Sequence, residues 1–481
     1  MKLKALIKNL KYKEIVGKTD LEIKEIKTDS NSVVSGSLFI CLKGKDFDGH
    51  GFIRQVEKYG AVAIISEKKL ETTLTQIIVD NSRSAMSIIA SEFYGGADKK
   101  MKMIAVLGTN GKTTTSHVIR NIFEKSGVKC GLIGTLGTFY GNESKEPTLT
   151  TPDPLELHKT LKEMYDSGVE TVVMEVSAHA VYLDKVKGLK FAVGVFTNFS
   201  QDHLDFFGDM NEYKQAKLKF FKENDCQFIV TNSDDEVGRE ILKIKPNAIS
   251  YGIVNPADVF AIDVKNNDCG SEYVINLFDC VYNVKIELIG EFNVYNTLAA
   301  ASATALMGVK TSDVIYGLKE TSIVSGRLEN VYDGKFKIYI DYAHTPDGLE
   351  KVLVALKKIA PKRLICLFGC GGNRDKEKRK IMGQISAKNS DFTVITSDNP
   401  RFEDPMEIIN EIETGVISVS KNYIAIENRE EAIKYAINIL KVGDVLLIAG
   451  KGSEKYQEIL GIKKPYCDKD TIVEYLRGEY L

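Results

Sequence analysis

Lys112 and a run of threonines, Thr113, Thr114 and Thr115, follow the glycines Gly108 and Gly111 directly after an apolar stretch at 104–107. A glycine loop between strand and helix lets backbone N–H groups wrap a phosphate chain, and the helix N-terminus adds its positive end. In that arrangement Lys112 meets the outer phosphates as a point charge, and the Thr113 hydroxyl faces a magnesium ion. The usual phosphate-loop spacing asks for a glycine five residues before Gly111, where this chain has Val106, so the loop is a shortened Gly-x-x-Gly-Lys-Thr. A plain strand-to-helix turn would explain the glycines. It would not explain strand, glycine loop, Lys-Thr and helix in this order.

In open parallel sheets, ligands sit beyond the carboxyl ends of the strands, so polar residues just after predicted strands are the next candidates. Glu175 ends one such strand, with Ser177 and His179 behind it, and the strand at 192–197 runs into a polar stretch through 205 that contains His203. A glutamate and a histidine at two strand ends near a phosphate loop suit Mg²⁺. His203 taken alone reads more readily as a hydrogen-bonded loop histidine. Lys217 lies among helical lysines and reads locally as an ordinary exposed one, with nothing to separate it from Lys214 or Lys219. In the last third of the chain, polar segments at 341–347, 368–375, 396–401 and 449–454 each follow a predicted strand. They bring Arg374, Arg401 and Glu454 to one sheet edge, which suits a zwitterion with carboxylate on arginine and ammonium on glutamate. Helix caps and turn charges would explain each segment separately but not the shared edge. The polar turns at 28–31 and 43–50 are candidate ligand loops, or simply surface turns.

The elements that must hold these residues follow from pattern and length. A chain of 481 residues is too long for one core and suggests about three domains. Residues 1–97 read as a small α/β domain, with strands at 37–42, 61–66 and 76–80, a helix at 84–93, and a linker at 95–100. Residues 98–328 alternate strands (103–107, 130–133, 171–175, 192–197, 227–231) with helices (113–125, 155–167, 210–221, 294–306). This is a central, mostly parallel sheet of phosphate-loop type with helices on both faces, broken by an antiparallel patch at 249–290. Residues 329–481 restart the alternation as a Rossmann-like α/β domain, with strands at 337–342, 364–368, 392–397 and 445–449. Its helices are expected at 345–357, 376–387, 406–414 and 430–440. It has no phosphate loop, so it is expected to carry a substrate site or to close over the nucleotide. The net charge of −2 argues against a nucleic-acid binder working through bulk electrostatics. Eight scattered cysteines, of which only Cys366 and Cys370 are close, read as reduced thiols of a cytosolic enzyme. Neither a signal-peptide core nor a bilayer-length apolar run is evident, so a cytoplasmic location without membrane insertion is expected.

Taken together, the motifs resemble those of the Mur ligases of peptidoglycan precursor synthesis. The matching signatures are Gly-Thr-Asn-Gly-Lys-Thr-Thr at 108–114, Leu-Thr-Thr-Pro at 149–152, Met-Glu-Val-Ser at 174–177 and the stretch 197–204. Gly-Glu-Phe-Asn-Val-Tyr-Asn at 290–296, Gly-Arg-Leu-Glu at 326–329, and the segments 341–347, 398–401 and 450–457 continue the series in family order. The resemblance implies that Gly108, Thr109, Asn110, Gly111, Lys112, Thr113 and Thr114 bind the ATP phosphates, with Asn296, Arg327 and Asp341 around the nucleotide. Lys112, Glu175, His203 and Lys217 would be the catalytic set. Thr113, Glu175 and His203 would serve two magnesium ions, joined by Lys217, which falls where the family carries a carbamylated lysine. Ser30, Lys45, Asp46 and Phe47 would hold a uridine nucleotide, and Thr150, Thr151, Ser177 and Lys185 a muramoyl-peptide. Arg374, Asp398, Asn399, Pro400, Arg401, Gly450 and Glu454 would hold the incoming amino acid.

Within the family, Asp-Asn-Pro-Arg at 398–401 resembles ligases that use meso-diaminopimelate, whose second carboxylate suits an arginine fork; L-lysine has none. The implied reaction passes the ATP γ-phosphoryl group to the D-glutamate γ-carboxylate of UDP-N-acetylmuramoyl-L-alanyl-D-glutamate, and the diaminopimelate amine displaces phosphate. Small-molecule substrates and a monomer are expected. Ser453, Asn31 and Lys185 depart from the histidine, arginine and arginine usual at these places, and Lys185 keeps the charge but not the fork. Three alternatives stay open: the same ligase using L-lysine or another diamino acid, a folylpolyglutamate synthase-like ligase, and an inactive nucleotide-binding regulator. The leading domain and the 398–401 loop speak against the second. Intact Lys112, Thr113, Glu175, His203 and Lys217 speak against the third.

Overall fold

In the computed structural model, residues 1–44, 47–360 and 362–480 are described. Short apolar runs near the start form a five-stranded sheet in the order Glu14–Val16, Thr75–Ile78, Ala61–Ser66, Ser37–Ile40, Glu25–Lys27. Its pairings are parallel except the first. Leu3, Leu6, Met86 and Ile89 cover one face, and Ile53 and Val56 the other, so its central strands are continuously apolar instead of alternating. The two edge strands are three residues each, too short to show a period in the sequence. The segment expected as a linker has structure of its own. Ala97–Lys99 is a 3-10 turn in which Asp98 is buried, accepts from Ser91 Oγ at 2.6 Å, and lies 3.5 Å from His158 Nδ1. Burial opposes ionisation of Asp98, but His158 and Ser91 outweigh it and its pKa is lowered.

An eleven-stranded sheet follows. Its order is Cys280–Ile286, Gly270–Leu277, Val259–Asn267, Ile249–Gly252, Asp225–Asn232, Lys190–Phe196, Lys102–Leu107, Thr171–Glu175, Cys130–Gly134, Gly137–Tyr140, Glu143–Lys145. The antiparallel patch expected at 249–290 starts later than its sequence suggests. Ile249–Gly252 runs parallel to both neighbours, and the antiparallel meander begins at Val259–Asn267. The reason is a helix absent from the sequence reading, Glu236–Ile244, whose crossover returns the chain in the parallel sense. Asp235 caps it, its Oδ1 accepting from the backbone N–H of Val237 and Gly238.

The last sheet has six strands in the order Glu329–Asp333, Lys337–Asp341, Val445–Ala449, Leu364–Phe368, Phe392–Ile395, Tyr423–Ala425, all parallel after the first pair. Leu349, Leu353, Met382 and Ile412 pack on one face and Ile433, Ile437, Ile472 and Leu476 on the other. Parallel strands put all their carboxyl ends at one edge. These three sheets and their helices, with a two-stranded antiparallel sheet of Tyr456–Ile459 and Ile462–Pro465, make a three-domain α/β protein. By compactness the chain divides into two units. The first is Met1–Val106 with Val128–Gly194 and Ala216–Phe228; the second is Leu107–Gly127 with Val195–Gln215 and Ile229–Leu481.

A fully buried ion pair braces that edge. Arg429 donates to both Asp468 oxygens at 2.8 Å and to the carbonyl of Ala449 at 3.0 Å, tying a strand end to the final helix, Asp468–Tyr480. Asp468→Asn leaves the guanidinium buried without its counter-charge, at an expected cost of about 3–5 kcal/mol. Urea unfolding reads this as a lowered midpoint, and a midpoint within error of the parent would show the pair carries no such load.

Candidate active site

The strand Lys102–Leu107 ends at Gly108 and the helix Lys112–Lys125 begins four residues later. Two features of the turn demand glycine. A Cβ at Gly108 would stand 1.8 Å from Thr197 Oγ1, and one at Gly111 would stand 2.3 Å from Asn296 Oδ1, both at positive φ. The end of the strand Lys190–Phe196 holds the turn from the side. Thr109 N donates to Asn198 O at 2.8 Å, Asn110 N to Asn198 Oδ1 at 2.9 Å, and Thr197 Oγ1 to Asn110 O at 2.6 Å. Lys112 Nζ folds back onto the carbonyls of Gly108 and Thr109, at 3.0 and 2.8 Å. The lysine is thus held over the loop where phosphates would lie. Thr114 is buried inside the first helical turn.

Residues far along the chain complete this region of the second unit. Arg327 Nη2 donates to Thr113 Oγ1 at 3.1 Å, and its guanidinium sits 4.4 Å from the Tyr342 ring centre. Asn296, on the buried helix Glu291–Leu306, accepts from Thr115 Oγ1 at 3.4 Å and is oriented by Asn293 at 2.9 Å. Asp341 is buried, so its carboxyl pKa is raised, with Arg327 opposing. Its oxygens accept from the backbone N–H of Leu328 and Ala343, both at 2.6 Å, which fixes the segment carrying Arg327. Asp347, given no role above, accepts from Asn110 Nδ2 at 2.8 Å.

His203 adopts a left-handed conformation at φ 58°. Its neighbour Asp202 accepts its backbone N–H at 2.9 Å and lies 3.2 Å from its Nε2. Asp202 is buried and faces His344 Nε2 at 3.7 Å and Lys378 Nζ at 3.8 Å. Burial would raise its pKa, but His344, His203 and Lys378 together hold it well below the ordinary carboxylate range. The sequence reading missed Asp202 and Lys378. The signal was the strand-end rule itself, since Asp202 lies in the same polar stretch as His203.

In the first unit, Glu175 is fully buried, and its two oxygens accept from the N–H and hydroxyl of Thr135, each at 2.9 Å. Thr135 also meets Thr150 Oγ1 at 3.2 Å. Thr151 Oγ1 donates to the Glu175 carbonyl at 2.9 Å and accepts from Ser177 N at 3.0 Å, so Thr150, Thr151 and Ser177 converge on the same strand end. Lys185 is buried and pairs with Asp153 at 2.8 Å. Lys217 is 2% exposed, which overturns the local reading of an ordinary surface lysine. The missed signal was spacing: Tyr213, Lys217, Phe220 and Phe221 form one buried stripe of the helix Met210–Glu223. Glu175 and Lys217 are each buried ionisable groups; a buried carboxylate suits a hard divalent cation, and a buried amine does so only once it carries negative charge. Among the described residues, no group of three or more His, Cys, Asp or Glu is gathered at metal-holding range.

At the start of the chain, Ser30 is buried and opens a 3-10 turn capped by Asp29, while Asn31 accepts from Gln55 Nε2 at 2.9 Å. Lys45 and Asp46 lie outside the described residues. Phe47 beside them is 57% exposed, an apolar ring on an outer surface.

The third cluster lies at the edge of the six-stranded sheet. Asn399 Nδ2 donates to Glu454 Oε2 at 2.9 Å, while its Oδ1 accepts from Lys451 Nζ at 3.0 Å and Glu458 N at 2.9 Å. Arg401, at φ 53°, donates from Nη1 to Gly372 O at 2.7 Å and lies 3.3 Å by Nε from Glu458. Pro400 joins the two, and Asp398 is buried within 3.9 Å of Lys451. Gly450 N donates to Asp341 O at 3.1 Å. Arg374 reaches toward Asp205 at 3.5 Å with its side chain half exposed, and a Cβ at Gly371 would stand 3.8 Å from Arg374 Cγ and 2.9 Å from Arg401 Nη1. Beneath the loops, Arg379 is fully buried and grips Glu403 through Nη1 and Nη2 at 3.0 Å, and Glu403 accepts from Asn373 N.

Three family models match the chain: a Mur ligase family catalytic domain at 22–94, a Mur ligase middle domain at 106–304, and a Mur ligase glutamate ligase domain at 326–452. Among similar proteins, a UDP-N-acetylmuramoyl-L-alanyl-D-glutamate–2,6-diaminopimelate ligase 1 of Clostridium acetobutylicum is 43% identical, with 98% of each chain covered. A ligase of the same name without the numeral, from Syntrophomonas wolfei, is 42% identical over the full length of both chains. A solved structure of a ligase of that description has 28% identity and a TM-score of 0.72, covering 100% of this chain and 99% of its own.

The Arg379–Glu403 pair generates a pH prediction. Hydrogen bonding to Arg379 lowers the Glu403 pKa from 4.5 to about 2. A carboxylate depressed in the folded state stabilises above its unfolded pKa, and that stability is lost as pH falls through the folded value. Between about pH 5 and pH 2 the urea midpoint should therefore fall more steeply in the parent than in Glu403→Gln, by up to ~3 kcal/mol of stability. Parallel pH profiles for the two proteins would sink this reading.

Proposed function

The chain belongs to the Mur ligase family, and from that premise we propose that it joins 2,6-diaminopimelate to UDP-N-acetylmuramoyl-L-alanyl-D-glutamate. The observation that carries this reading is the linkage of Arg401 and Glu454 through Asn399 and Glu458 at one sheet edge. Guanidinium and carboxylate held in one cluster suit a zwitterionic centre with carboxylate and ammonium on one carbon, which diaminopimelate carries at both ends and L-lysine at only one. L-Lysine in such a site would leave Arg401 without its carboxylate, which disfavours it strongly. A folylpolyglutamate synthase-like activity is disfavoured by the leading domain, matched at 22–94 by a Mur ligase model, and by full-length similarity to the diaminopimelate ligases. Burial of Glu175 and Lys217 disfavours an inactive regulator, since buried ionisable groups are costly to keep without use.

We assign residues 1–97 to the uridine nucleotide, 98–328 to ATP, and 329–481 to the amino acid. Gly108, Thr109, Asn110, Gly111 and Thr114 form the turn that takes the ATP phosphates: Asn198 holds the N–H groups of Thr109 and Asn110, the start of the following helix presents its N–H groups to the phosphates, and Lys112 leaves its loop carbonyls to meet the outer ones. Asn296, Arg327 and Asp341 line the nucleotide side, with Arg327 beside Thr113. Thr113, Glu175, His203 and Lys217 would hold two magnesium ions, with Lys217 as a carbamate that turns a buried cation into a carboxylate-like anion. Bound there, magnesium neutralises charge on the transferring phosphoryl group. Ser30 and the 45–47 loop take the uridine nucleotide, and Thr150, Thr151, Ser177 and Lys185 the muramoyl-peptide. Lys185 offers one point charge where a fork is usual, so its contact with substrate is monodentate.

In the reaction, the D-glutamate γ-carboxylate attacks the γ-phosphorus of ATP to give an acyl phosphate and ADP. The diaminopimelate amine then attacks the acyl carbon, phosphate leaves, and the amide forms. The residues at 398–401 and 450–454 hold the amine in line, and their contribution is orientation and exclusion of water. We place the reaction in the cytoplasm, where free ATP is available. Among the described residues, no helix is long and apolar enough to cross a membrane.

Phosphate release from ATP, Mg²⁺ and the UDP-muramoyl-dipeptide should require diaminopimelate and be near background with L-lysine or no amino acid. Release with lysine alone would overturn the specificity, and none with either would favour the regulator. Arg401→Ala should lower kcat/KM for diaminopimelate by roughly 100-fold while the KM for ATP moves less than about twofold. Unchanged amino-acid kinetics would show that the pocket lies elsewhere.

A further inference from the structure

We propose that Lys451 is the positioning residue that sets the shape and charge of the amino-acid pocket, an inference that rests on the pocket assignment above. Lys451 has no role in the sequence reading, which passed from Gly450 to Glu454. Its side chain is fully buried, and its ammonium lies 3.0 Å from Asn399 Oδ1, 2.9 Å from Glu454 Oε2 and 3.9 Å from Asp398 Oδ1. A buried ammonium is tolerated only where acceptors surround it, and here the acceptors are the pocket residues themselves.

The chemistry of an ammonium explains what this does. Lysine can only donate, so it obliges the Asn399 amide to turn its oxygen inward. With Oδ1 shared between Lys451 Nζ and Glu458 N, the amide nitrogen is left facing Glu454, where Nδ2 donates to Oε2 at 2.9 Å. Glu454 Oε2 thus receives two donors, Lys451 and Asn399, and Oε1 is the oxygen left to receive an ammonium from the ligand. The same Asn399 oxygen pins Glu458, whose carbonyl accepts Arg401 N at 3.0 Å and whose carboxylate lies 3.3 Å from Arg401 Nε. One buried ammonium therefore fixes the carboxylate meant for the ligand's amine. Through Asn399 and Glu458 it also fixes the guanidinium meant for the ligand's carboxylate.

Electrostatics points the same way. Asp398 and Glu454 both approach Lys451, and without it two carboxylates would share a buried region with no cation between them. Glu454 would also lose one of the two donors that orient its carboxylate. Lys451 belongs to the pocket's frame and touches no reacting atom in this account, so its loss should show in amino-acid affinity first.

The test uses the full-length enzyme with ATP, Mg²⁺ and the UDP-muramoyl-dipeptide, after far-UV circular dichroism confirms folding. Lys451→Met keeps the length and removes the charge. It should raise the KM for diaminopimelate by about 30-fold or more while the KM values for ATP and the UDP-substrate stay within about twofold. Lys451→Arg keeps the charge but replaces a point donor with a planar fork, and should give a smaller rise of about tenfold. It serves as the readout if the methionine variant does not fold. A diaminopimelate KM unchanged in a folded variant overturns the proposal, as does an equal rise in all three KM values, which marks a merely structural lysine. If the parent enzyme itself fails to use diaminopimelate, the functional reading has failed first, and the proposal falls with it.

Discussion

Between Gly108 and Thr197 the backbone approach is so close that a single methyl group would collide with the threonine hydroxyl. Everything at the nucleotide end follows from that contact. A phosphate loop works because it brings a helix N-terminus and its N–H groups up to the ligand, and it does so only if the turn before the helix is held in place. Here the neighbouring strand end does it: Thr197 and Asn198 take the carbonyl of Asn110, and Asn198 takes the N–H groups of Thr109 and Asn110. That leaves Lys112 to span the loop and Thr113 to face Arg327. The shortened loop needs no further glycine at Val106, because Val106 is still inside the strand and fully buried.

The other recurring feature is buried charge arranged in chains. Asp202 is surrounded by His203, His344 and Lys378, Asp341 by two backbone N–H groups with Arg327 near, and Lys451 by Asn399 and Glu454. Each such group offsets the cost of burial with several fixed partners, most of them in segments that follow strands, with Lys378 on the helix Glu377–Asn389. Parallel topology makes this possible, because it delivers every strand's carboxyl end to the same edge. The ionic networks and the sheet order are one design. Removing either would leave the other without purpose.

Much of this was legible from residues alone. The strands 171–175, 364–368 and 445–449 and the polar segments after them stand where the apolar runs placed them, because strands buried on both faces are continuous apolar runs. The three-residue edge strands and the helix Glu236–Ile244 were not legible, since short elements carry too few residues for a period and depend on tertiary pairing. Of the candidate site, Glu175 and Lys112 were singled out by position, and Asn399 by the resemblance. Lys217 was not singled out by position, although its place four residues after Tyr213 and three before Phe220 put it on an apolar stripe. Asp202 and Lys451 were hidden differently: each sits beside a more conspicuous residue, and only burial distinguishes a held charge from a turn charge. Arg374, conspicuous in the sequence, reaches toward Asp205 from beside Gly371.

The central claim is that the phosphate loop and the amino-acid pocket serve one reaction, in which a substrate carboxylate is phosphorylated before an amine displaces the phosphate. The most direct measurement uses UDP-N-acetylmuramoyl-L-alanyl-D-glutamate with ¹⁸O in both oxygens of the γ-carboxylate. Mass spectrometry then follows the released phosphate during turnover with diaminopimelate. The account predicts one labelled oxygen in each phosphate and one retained in the new amide. Unlabelled phosphate, with product formed, would mean that no acyl phosphate lies on the path and would contradict it.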